Sequence, residues 1–336
     1  RMSAELYARS RQAQGGIAQQ AIAAIENALL ELKARKLGVP CYELLGGAVR
    51  DELELYWSHC GSYRMPTTAH LMGKAPVENL DDLVSLGREV AEQGFDTLKT
   101  NIFLFEPDFH MHQPGFARTD GWPELNPSPT VITAVRDQVA ALREGAGADM
   151  QILLDLNFNY RTEGFLTVTR ALDDLGLAWY EIDIYDPDAL RRIRDSVRTP
   201  IASCESLFGL RGFRPFFEAQ AMDVAIVDVP WNGIWTSRKI AGLAEAHEIN
   251  VAPHNFYGHL STMMSAHFCA SLPNFRIMEI DIDDVPWKDD LVTNTPVIVN
   301  GKMQVPEGVG WGTDLNEEAI RAHPPADPKR HDKGMG

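Results

Sequence analysis

The second half of the chain repeats one pattern, a short apolar run that ends on an ionisable side chain. The interval between successive run ends is roughly 25 residues, the length of one strand, one helix and two loops. The six runs are Gln151–Asp155, Ala178–Glu181, Ile201–Glu205, Val224–Asp228, Val251–His254 and Phe275–Glu279. In a TIM-type (β/α)8 barrel the carboxyl ends of all strands meet at the face where active sites lie. Because packing does not require carboxylates and an imidazole there, the pattern predicts an α/β barrel with a functional site.

Composition and charge exclude several classes of function. The 336 residues, 45% of them hydrophobic, suffice for a barrel of roughly 250 residues and a smaller second unit. A net charge of −16 argues against a nucleic-acid surface, which needs clustered lysines and arginines. The four cysteines form no CxxC pair, and no apolar stretch approaches the roughly 20 residues of a membrane span. No signal peptide opens the chain, so we expect a cytoplasmic protein that binds neither nucleic acid nor membranes.

The pattern also predicts how the chain is divided. The predicted units are a helical unit at 1–52, the barrel at 53–290 and a C-terminal segment at 291–336 that packs back on the first unit. In the first unit, apolar residues from Ile17 to Leu32 recur at helical spacing. Residues 103–129 interrupt the rhythm with five prolines, so we expect an insertion over the mouth of the site.

Three carboxylates predict a metal site. Asp155, Glu181 and Glu205 end three consecutive predicted strands. Carboxylate oxygens are the ligands that Mg²⁺ prefers, whereas Zn²⁺ more often takes His or Cys. Each acid could instead cap the helix that follows its strand, but that explanation suits one acid better than three in register. The sequence therefore predicts that these three side chains bind Mg²⁺.

Two further pairs indicate proton transfer and charge stabilisation. Asp228 and His254 end the next two strands, and a carboxylate beside an imidazole fixes its tautomer and raises its basicity. Lys99 and Asn101 lie two residues apart at the end of an earlier strand, so both can point into the barrel mouth. A lysine that faces the inside of a barrel needs an anionic partner or a catalytic task.

Taken together, these residues resemble the mandelate racemase branch of the enolase superfamily. The segment Ala24–Gly47 is similar to the one by which these proteins leave their capping domain, and Gly94-Phe-x-x-Leu-Lys99 resembles the second-strand signature. The other matching positions are Asp155-x-Asn157, Glu181, Glu205, Asp228, His254 and the eighth-strand acid Glu279. The resemblance implies a TIM-type barrel with an α+β capping domain, N-terminally incomplete here, and a homo-oligomer.

The resemblance also implies a role for each residue. Mg²⁺ on the three acids would bind a small-molecule carboxylate and make its α-carbon acidic enough to lose a proton. His254, oriented by Asp228, would be the base. Lys99 and a protonated Glu279 would stabilise the enediolate, and Asn157 would contact the substrate.

Asn101 is the main departure from the family pattern. The branch often has a second lysine there, a base on the opposite face of the substrate, whereas an asparagine cannot take a proton. Racemisation by two bases needs a proton carrier on each face. Dehydration needs one, because His254 can remove the α-proton and then protonate the leaving β-hydroxyl on the same face. We therefore expect a Mg²⁺-dependent dehydratase of a sugar acid (an aldonate or aldarate) that forms a 2-keto-3-deoxy acid, with Asn101 contacting the substrate.

Two alternatives remain open at this stage. A racemase, epimerase or cycloisomerase would use the same intermediate, and His110 or His112 of the insertion could supply the proton carrier for the far face. Together with Arg118 and Trp122, these histidines could also replace substrate contacts of the incomplete capping domain. A catalytically silent barrel with a structural or binding role is the second alternative.

Overall fold

The computed structural model describes residues 2–12 and 15–324. Within these residues eight parallel strands follow one another around a barrel. They are β1 (Glu52–Trp57), β2 (Thr97–Thr100), β3 (Gln151–Asp155), β4 (Trp179–Glu181), β5 (Ile201–Ser203), β6 (Val224–Asp228), β7 (Asn250–His254) and β8 (Met278–Ile280). The sheet closes because β8 pairs with β1, while a bridge from Val251 to Phe275 joins β7 to the chain entering β8. The predicted TIM-type barrel is confirmed.

Helices connect the strands and form the first unit of the chain. They are α1 (Met2–Arg9), α2 (Gly16–Leu37), α3 (Leu80–Glu92), α4 (Pro129–Ala146), α5 (Thr162–Leu172), α6 (Pro187–Arg194), α7 (Gly209–Glu218), α8 (Val229–Asn232), α9 (Ile234–Glu245), α10 (His259–Ala270) and α11 (Glu317–Ala322). After β8 the chain forms a 3₁₀ turn, Asp289–Leu291, in place of a long helix. In the part of the chain that the structure describes, no helix is long and apolar enough to cross a membrane.

The alternation of side chains along each strand places the ionisable residues. The apolar residues that pack inside the barrel include Leu153, Trp179, Ile226, Ala252 and Ile277. Two positions further along the same strands lie Asp155, Glu181, Asp228, His254 and Glu279. Because residues two apart on a strand face the same way, the ionisable side chains point inward above this apolar layer. The apolar layer closes the barrel below them and leaves its carboxyl-terminal mouth for chemistry.

Helix α2 buries a mixed polar and apolar face, and most of the apolar stripe identified in the sequence is exposed. Leu32 is 64% exposed, whereas Glu26 and Asn27 are buried. Asn27 Oδ1 accepts a hydrogen bond from the backbone N–H of Ile234 (2.8 Å), and Glu26 Oε1 accepts one from that of Thr236 (3.1 Å). These N–H groups begin α9 and have no acceptor within their own helix. Burying Glu26 and Asn27 against α9 therefore satisfies the start of that helix.

The insertion and the C-terminal segment are both irregular. Residues 103–129 contain a short hairpin, Phe103–Leu104 with His110–Met111, before α4 begins. The C-terminal segment forms a second hairpin, Ile298–Val299 with Lys302–Gln304, whose last strand pairs with the start of β1. The chain then returns to the first unit, where the carbonyl of Gly310 accepts a hydrogen bond from the N–H of Cys41 at 2.9 Å. Residues 325–336 lie outside the described residues, and the division at 52 and 290 stays a prediction.

Gly87 in α3 and Gly145 in α4 let these two helices approach closely, which generates a test of the packing. A Cβ at Gly145 would overlap the backbone carbonyl of Val84, while one at Gly242 in α9 would meet only the end of the Arg238 side chain at 3.6 Å. We expect Gly145→Ala to lower the free energy of unfolding by about 2 kcal/mol, because the helices must separate. Gly242→Ala should raise it by up to about 1 kcal/mol through helix propensity. Chemical denaturation of both variants measures this, and equal effects would contradict the close approach.

Candidate active site

A buried lysine stands at the centre of the site. Lys99 Nζ lies 2.9 Å from Glu181 Oε1, 2.8 Å from Glu279 Oε1 and 3.8 Å from Asp155 Oδ2. Burial alone would lower the pKa of this ammonium, but the surrounding carboxylates outweigh it and hold the pKa well above its ordinary value. Lys99 is therefore a permanent positive charge that three strand-end acids share.

The three acids predicted to bind metal lie on neighbouring strands. Asp155 and Glu181 are directly paired across β3 and β4, and Glu205 follows two residues after the end of β5. Burial raises the pKa of Glu181 to about 8, against the attraction of Lys99, and the charges of Asp155 and Glu205 add to that shift. Burial also raises the pKa of Asp155. The raised pKa values show that these acids repel one another when ionised, and that one ammonium does not offset the repulsion.

A fourth acid, Asp183, belongs to the same group. It lies two residues after Glu181 and is buried, and its Oδ2 has no hydrogen-bond partner. Burial, followed by the charges of Glu205 and Asp155, raises its pKa well above the ordinary value. Sequence reasoning missed this residue, although its spacing from Glu181 places both on one side of the chain.

The chemistry of these donors fits a hard divalent cation. Within residues 2–12 and 15–324, no three such side chains already surround one point as a metal site. Instead, Glu181 contacts Lys99, and Asp155 Oδ1 accepts a hydrogen bond from the N–H of Asn157 at 2.9 Å. An excess of buried carboxylates with an unpartnered oxygen is what oxygen-seeking cations such as Mg²⁺ require. Asp155, Glu181 and Glu205 are the residues that could hold it.

The predicted Asp–His pair is formed. Asp228 and His254 are directly opposite across β6 and β7, with His254 Nδ1 2.7 Å from Asp228 Oδ2. The same carboxylate accepts hydrogen bonds from the N–H of Trp231 and the hydroxyl of Tyr257, each at 2.6 Å. The other ring nitrogen, Nε2, lies 3.5 Å from Glu205 Oε2. Burial would lower the pKa of His254, but Glu205 and Asp228 raise it to about 10.

The contacts of Glu279 bear on its protonation. Its Oε1 contacts Lys99 and accepts a hydrogen bond from Ser58 Oγ at 2.5 Å, and its Oε2 accepts one from the N–H of Asn255 at 2.7 Å. Burial would raise its pKa, but the charge of Lys99 lowers it well below the ordinary range. The contact with Lys99 thus favours the ionised form of Glu279, and its role as a protonated donor stays a prediction.

The two predicted substrate-contacting asparagines are neighbours. Asn101 Nδ2 lies 3.3 Å from Asn157 Oδ1, and Asn101 Oδ1 accepts a hydrogen bond from Ser62 Oγ at 2.5 Å. Asn157 has a left-handed backbone, with φ of 44°, in the turn two residues after β3 ends. The structure thus brings both amides together beside Lys99, and their contact with a substrate stays a prediction.

The polar residues of the insertion are held mainly by the insertion itself. His112 is buried near the ring of Tyr160, with 5.9 Å between the ring centroids, and burial lowers its pKa to about 4. His110 Nδ1 lies 2.7 Å from a carbonyl of its own loop, and the Arg118 guanidinium lies 4.8 Å from the ring centre of Trp122. None of these contacts joins the insertion to Lys99 or His254. A role for these residues in substrate binding stays a prediction.

A second histidine at the site was not predicted. His59 follows β1, and Asp281 follows β8 directly, so both lie at the same barrel end as Lys99 and Glu279. The Nδ1 of His59 lies 3.0 Å from Asp281 Oδ1. The available signal was weak, because the run that contains β1 ends on Trp57 and Ser58 and the histidine follows one residue later.

Models of two protein families match the chain. Residues 82–319 match the model described as Enolase C-terminal domain-like. Residues 1–46 match the model of the mandelate racemase / muconate lactonizing enzyme N-terminal domain. The first match covers the described barrel from α3 onwards, including every residue discussed above except those of β1 and its loop.

Individual relatives agree with these matches. A crystal structure from Burkholderia xenovorans strain LB400, provisionally described as an L-alanine-DL-glutamate epimerase bound to magnesium and fumarate, is 51% identical with a TM-score of 0.93. The match covers 96% of this chain and 80% of that one. The D-xylonate dehydratase of Haloferax volcanii is 30% identical over 90% of this chain and 69% of its own length. The D-gluconate dehydratase of Thermoproteus tenax is 28% identical over 90% of this chain and 56% of its own length.

The shared ammonium generates a test of the site's charge balance. Lys99→Met leaves Glu181 and Glu279 buried without their cation, so we expect the free energy of unfolding to fall by about 3–5 kcal/mol. The control is Lys302→Met, which breaks contacts with Glu52 and Glu54 on a side chain that is 39% exposed and should change stability little. Chemical denaturation in a metal-free buffer compares the two. Similar losses in both variants would refute a central role for Lys99.

Proposed function

The chain belongs to the mandelate racemase/muconate lactonizing enzyme family of the enolase superfamily, and from this membership we propose that it is a dehydratase of a sugar acid. The single observation that carries the proposal is the pair of His254 and Asp228 facing Lys99 and the strand-end acids, with Asn101 where a second base would stand. Two relatives named as sugar-acid dehydratases support the same class. The product would be a 2-keto-3-deoxy acid.

Two groups of residues would act on the substrate carboxylate, the acids through Mg²⁺ and Lys99 through its own charge. Asp155, Glu181 and Glu205 would hold Mg²⁺, which, when bound, would polarise the substrate carboxylate as a Lewis acid. The magnesium in the related Burkholderia structure supports this assignment. Lys99 supplies a fixed positive charge inside the barrel, where the low dielectric strengthens its attraction for negative charge that develops next to the carboxylate.

His254 performs the proton transfers. Asp228 holds the Nδ1–H, so Nε2 is the nitrogen that takes the α-proton when the ring is neutral. Mg²⁺ on Glu205 would favour that neutral form, because it would offset the carboxylate charge that raises the pKa of His254. The imidazolium then returns a proton to the β-hydroxyl on the same face. The carbon–oxygen bond breaks, the hydroxyl leaves as water, and the electron pair from the former α C–H bond forms the new double bond. The resulting enol becomes the 2-keto acid by moving its hydroxyl proton to solvent and accepting one at the β-carbon.

An epimerase is the second candidate, because the 51% identical Burkholderia protein is provisionally described as one. Epimerisation by two bases needs a proton carrier on the face opposite His254. The side chain at the family's position for that carrier is Asn101, which is buried and hydrogen-bonded to Ser62 and Asn157. This amide favours elimination over inversion.

Metal binding is the first prediction from this proposal. We expect Mg²⁺ to bind the purified protein and raise its Tm, since the cation neutralises buried carboxylates. Glu205→Ala and Asp155→Ala should each weaken Mg²⁺ binding about tenfold or more. Glu163→Ala removes an exposed carboxylate from α5 and serves as the control. Isothermal titration calorimetry measures the affinities, and unchanged Mg²⁺ affinity in both site variants would favour a catalytically silent barrel.

The second prediction concerns the base. A panel of aldonic and aldaric acids that includes D-xylonate and D-gluconate is incubated with protein and Mg²⁺ in D₂O, and 2-keto product is assayed. We expect His254→Asn to abolish turnover while circular dichroism and Tm stay close to those of the wild type, because the loss of a general base costs about 100-fold or more. Unchanged activity would refute the mechanism. Deuterium at the α-carbon of recovered, stereoinverted substrate would favour the epimerase.

A further inference from the structure

The site contains a second pair of imidazole and carboxylate that the proposed mechanism does not use. His59 Nδ1 lies 3.0 Å from Asp281 Oδ1, and the hydroxyl of Tyr63 donates to Asp281 Oδ2 at 3.1 Å. The pair of His254 and Asp228 has the same parts, namely an almost fully buried carboxylate, an imidazole held through Nδ1 and a tyrosine hydroxyl on the carboxylate. The barrel thus presents two imidazoles with the same kind of support.

Both imidazoles border one aromatic ring. The ring centre of Phe256 lies 4.8 Å from that of His254 and 5.6 Å from that of His59. The two histidines therefore approach the same part of the mouth from β7 and from β1. His59 also stacks on Tyr63, with 4.8 Å between the ring centres, which fixes the plane of its imidazole.

A chain of hydrogen bonds ties His59 to the centre of the site. Ser58 Oγ donates its proton to Glu279 Oε1 at 2.5 Å, and Glu279 contacts Lys99. The single hydroxyl hydrogen of Ser58 is engaged in the hydrogen bond to Glu279. Ser58 Oγ can therefore only accept a hydrogen bond at its other contact, His59 Nδ1, at 3.0 Å. His59 Nδ1 therefore carries a hydrogen, and the free nitrogen for chemistry is Nε2.

The position of His59 suits a proton donor. Its side chain is 21% exposed, against 7% for His254, so solvent can replace a proton that it gives away. Its backbone has φ of 48°, a left-handed conformation that is uncommon for histidine and that clusters at functional sites. Burial would lower its pKa, but the charge of Asp281 raises it, supported by Glu279 and opposed by Lys99. Asp281 thus stabilises the imidazolium that a proton donor requires, and the greater exposure of His59 is what distinguishes it from His254.

We propose that His59 is a second catalytic acid of this site, which protonates the leaving β-hydroxyl after His254 has removed the α-proton. The Nε2–H of His59 passes to the hydroxyl oxygen, the carbon–oxygen bond breaks, and water leaves. The electron pair of the former α C–H bond becomes the double bond of the enol. His254 then gives its proton to the β-carbon as the enol becomes the ketone, the enol hydroxyl loses its proton to solvent, and His59 regains one from solvent. This inference rests on the proposed dehydration and divides its two proton transfers between two histidines.

The test separates removal of the α-proton from loss of water. His59→Asn is the suitable variant, because asparagine tolerates the left-handed backbone at this position. His70→Asn removes an exposed imidazole from the same β1–α3 connection and is the control. The probes are D-xylonate, D-gluconate and D-galactonate with Mg²⁺ in D₂O. Proton NMR follows exchange at the α-carbon, and a 2-keto acid assay follows dehydration.

We expect His59→Asn to form product about 100-fold more slowly, because it lacks the acid, while α-proton exchange into recovered substrate continues. His254→Asn should lose both activities, and His70→Asn should keep both. A probe with chlorine in place of the β-hydroxyl needs no acid, so His59→Asn should eliminate chloride at a rate close to that of the wild type. Asp281→Asn should lower dehydration of the hydroxy acids but not chloride loss.

The opposite outcomes have distinct meanings. The role of His59 would be overturned if His59→Asn dehydrated like the wild type, or if it lost exchange, dehydration and chloride elimination equally. Either result would leave the proposed function intact. Wild-type protein that forms no 2-keto acid from any probe would instead contradict the proposed function and, with it, this inference. Exchange with inversion in the wild type that disappears in His59→Asn would also overturn the inference, because His59 would then be a second base.

Discussion

The positive charge of Lys99 is the element on which the rest of the site depends. Charged groups inside a barrel lose their hydration, and the loss is offset only when opposite charges lie within contact distance. Glu181 and Glu279 both meet that condition with Lys99, and Asp155 lies slightly further away. One ammonium does not offset the repulsion among all the acids at this end of the barrel. Burial and the charges of Glu205 and Asp155 therefore raise the pKa of Asp183. The unbalanced charge is the physical reason why a divalent cation fits here.

Lys99 also favours the ionised form of Glu279, and Glu279 in turn orients the hydroxyl of Ser58. Glu279 accepts a hydrogen bond from the Ser58 hydroxyl, which leaves the serine oxygen as an acceptor for His59 Nδ1–H. Lys99 on β2 is therefore linked through Glu279 and Ser58 to the imidazole of His59, which follows β1. His254 is held separately, by Asp228, and so the two imidazoles have independent supports on either side of Phe256. Independent supports would allow the two proton carriers to work in different protonation states.

Sequence patterns predicted the barrel strands closely where side-chain alternation was regular. The predicted runs Gln151–Asp155 and Val224–Asp228 are strands with those same bounds. Sequence patterns were less informative about which helix face is buried, because contacts between distant parts of the chain contribute to that. Helix α2 was correctly predicted, but its apolar stripe is largely exposed because Glu26 and Asn27 satisfy the start of α9, about 200 residues away. Such long-range demands leave no periodic trace in a sequence.

The barrel and the order of ionisable residues around its mouth could be predicted from the amino-acid sequence alone. The reason is that strand alternation and the interval of roughly 25 residues are local properties of the chain. The contact of Glu279 with Lys99, the position of Asp183 and the pairing of His59 with Asp281 became visible only in the folded chain. Each of these depends on distances between side chains from different strands, and a pKa follows such distances and burial, not the neighbours in sequence.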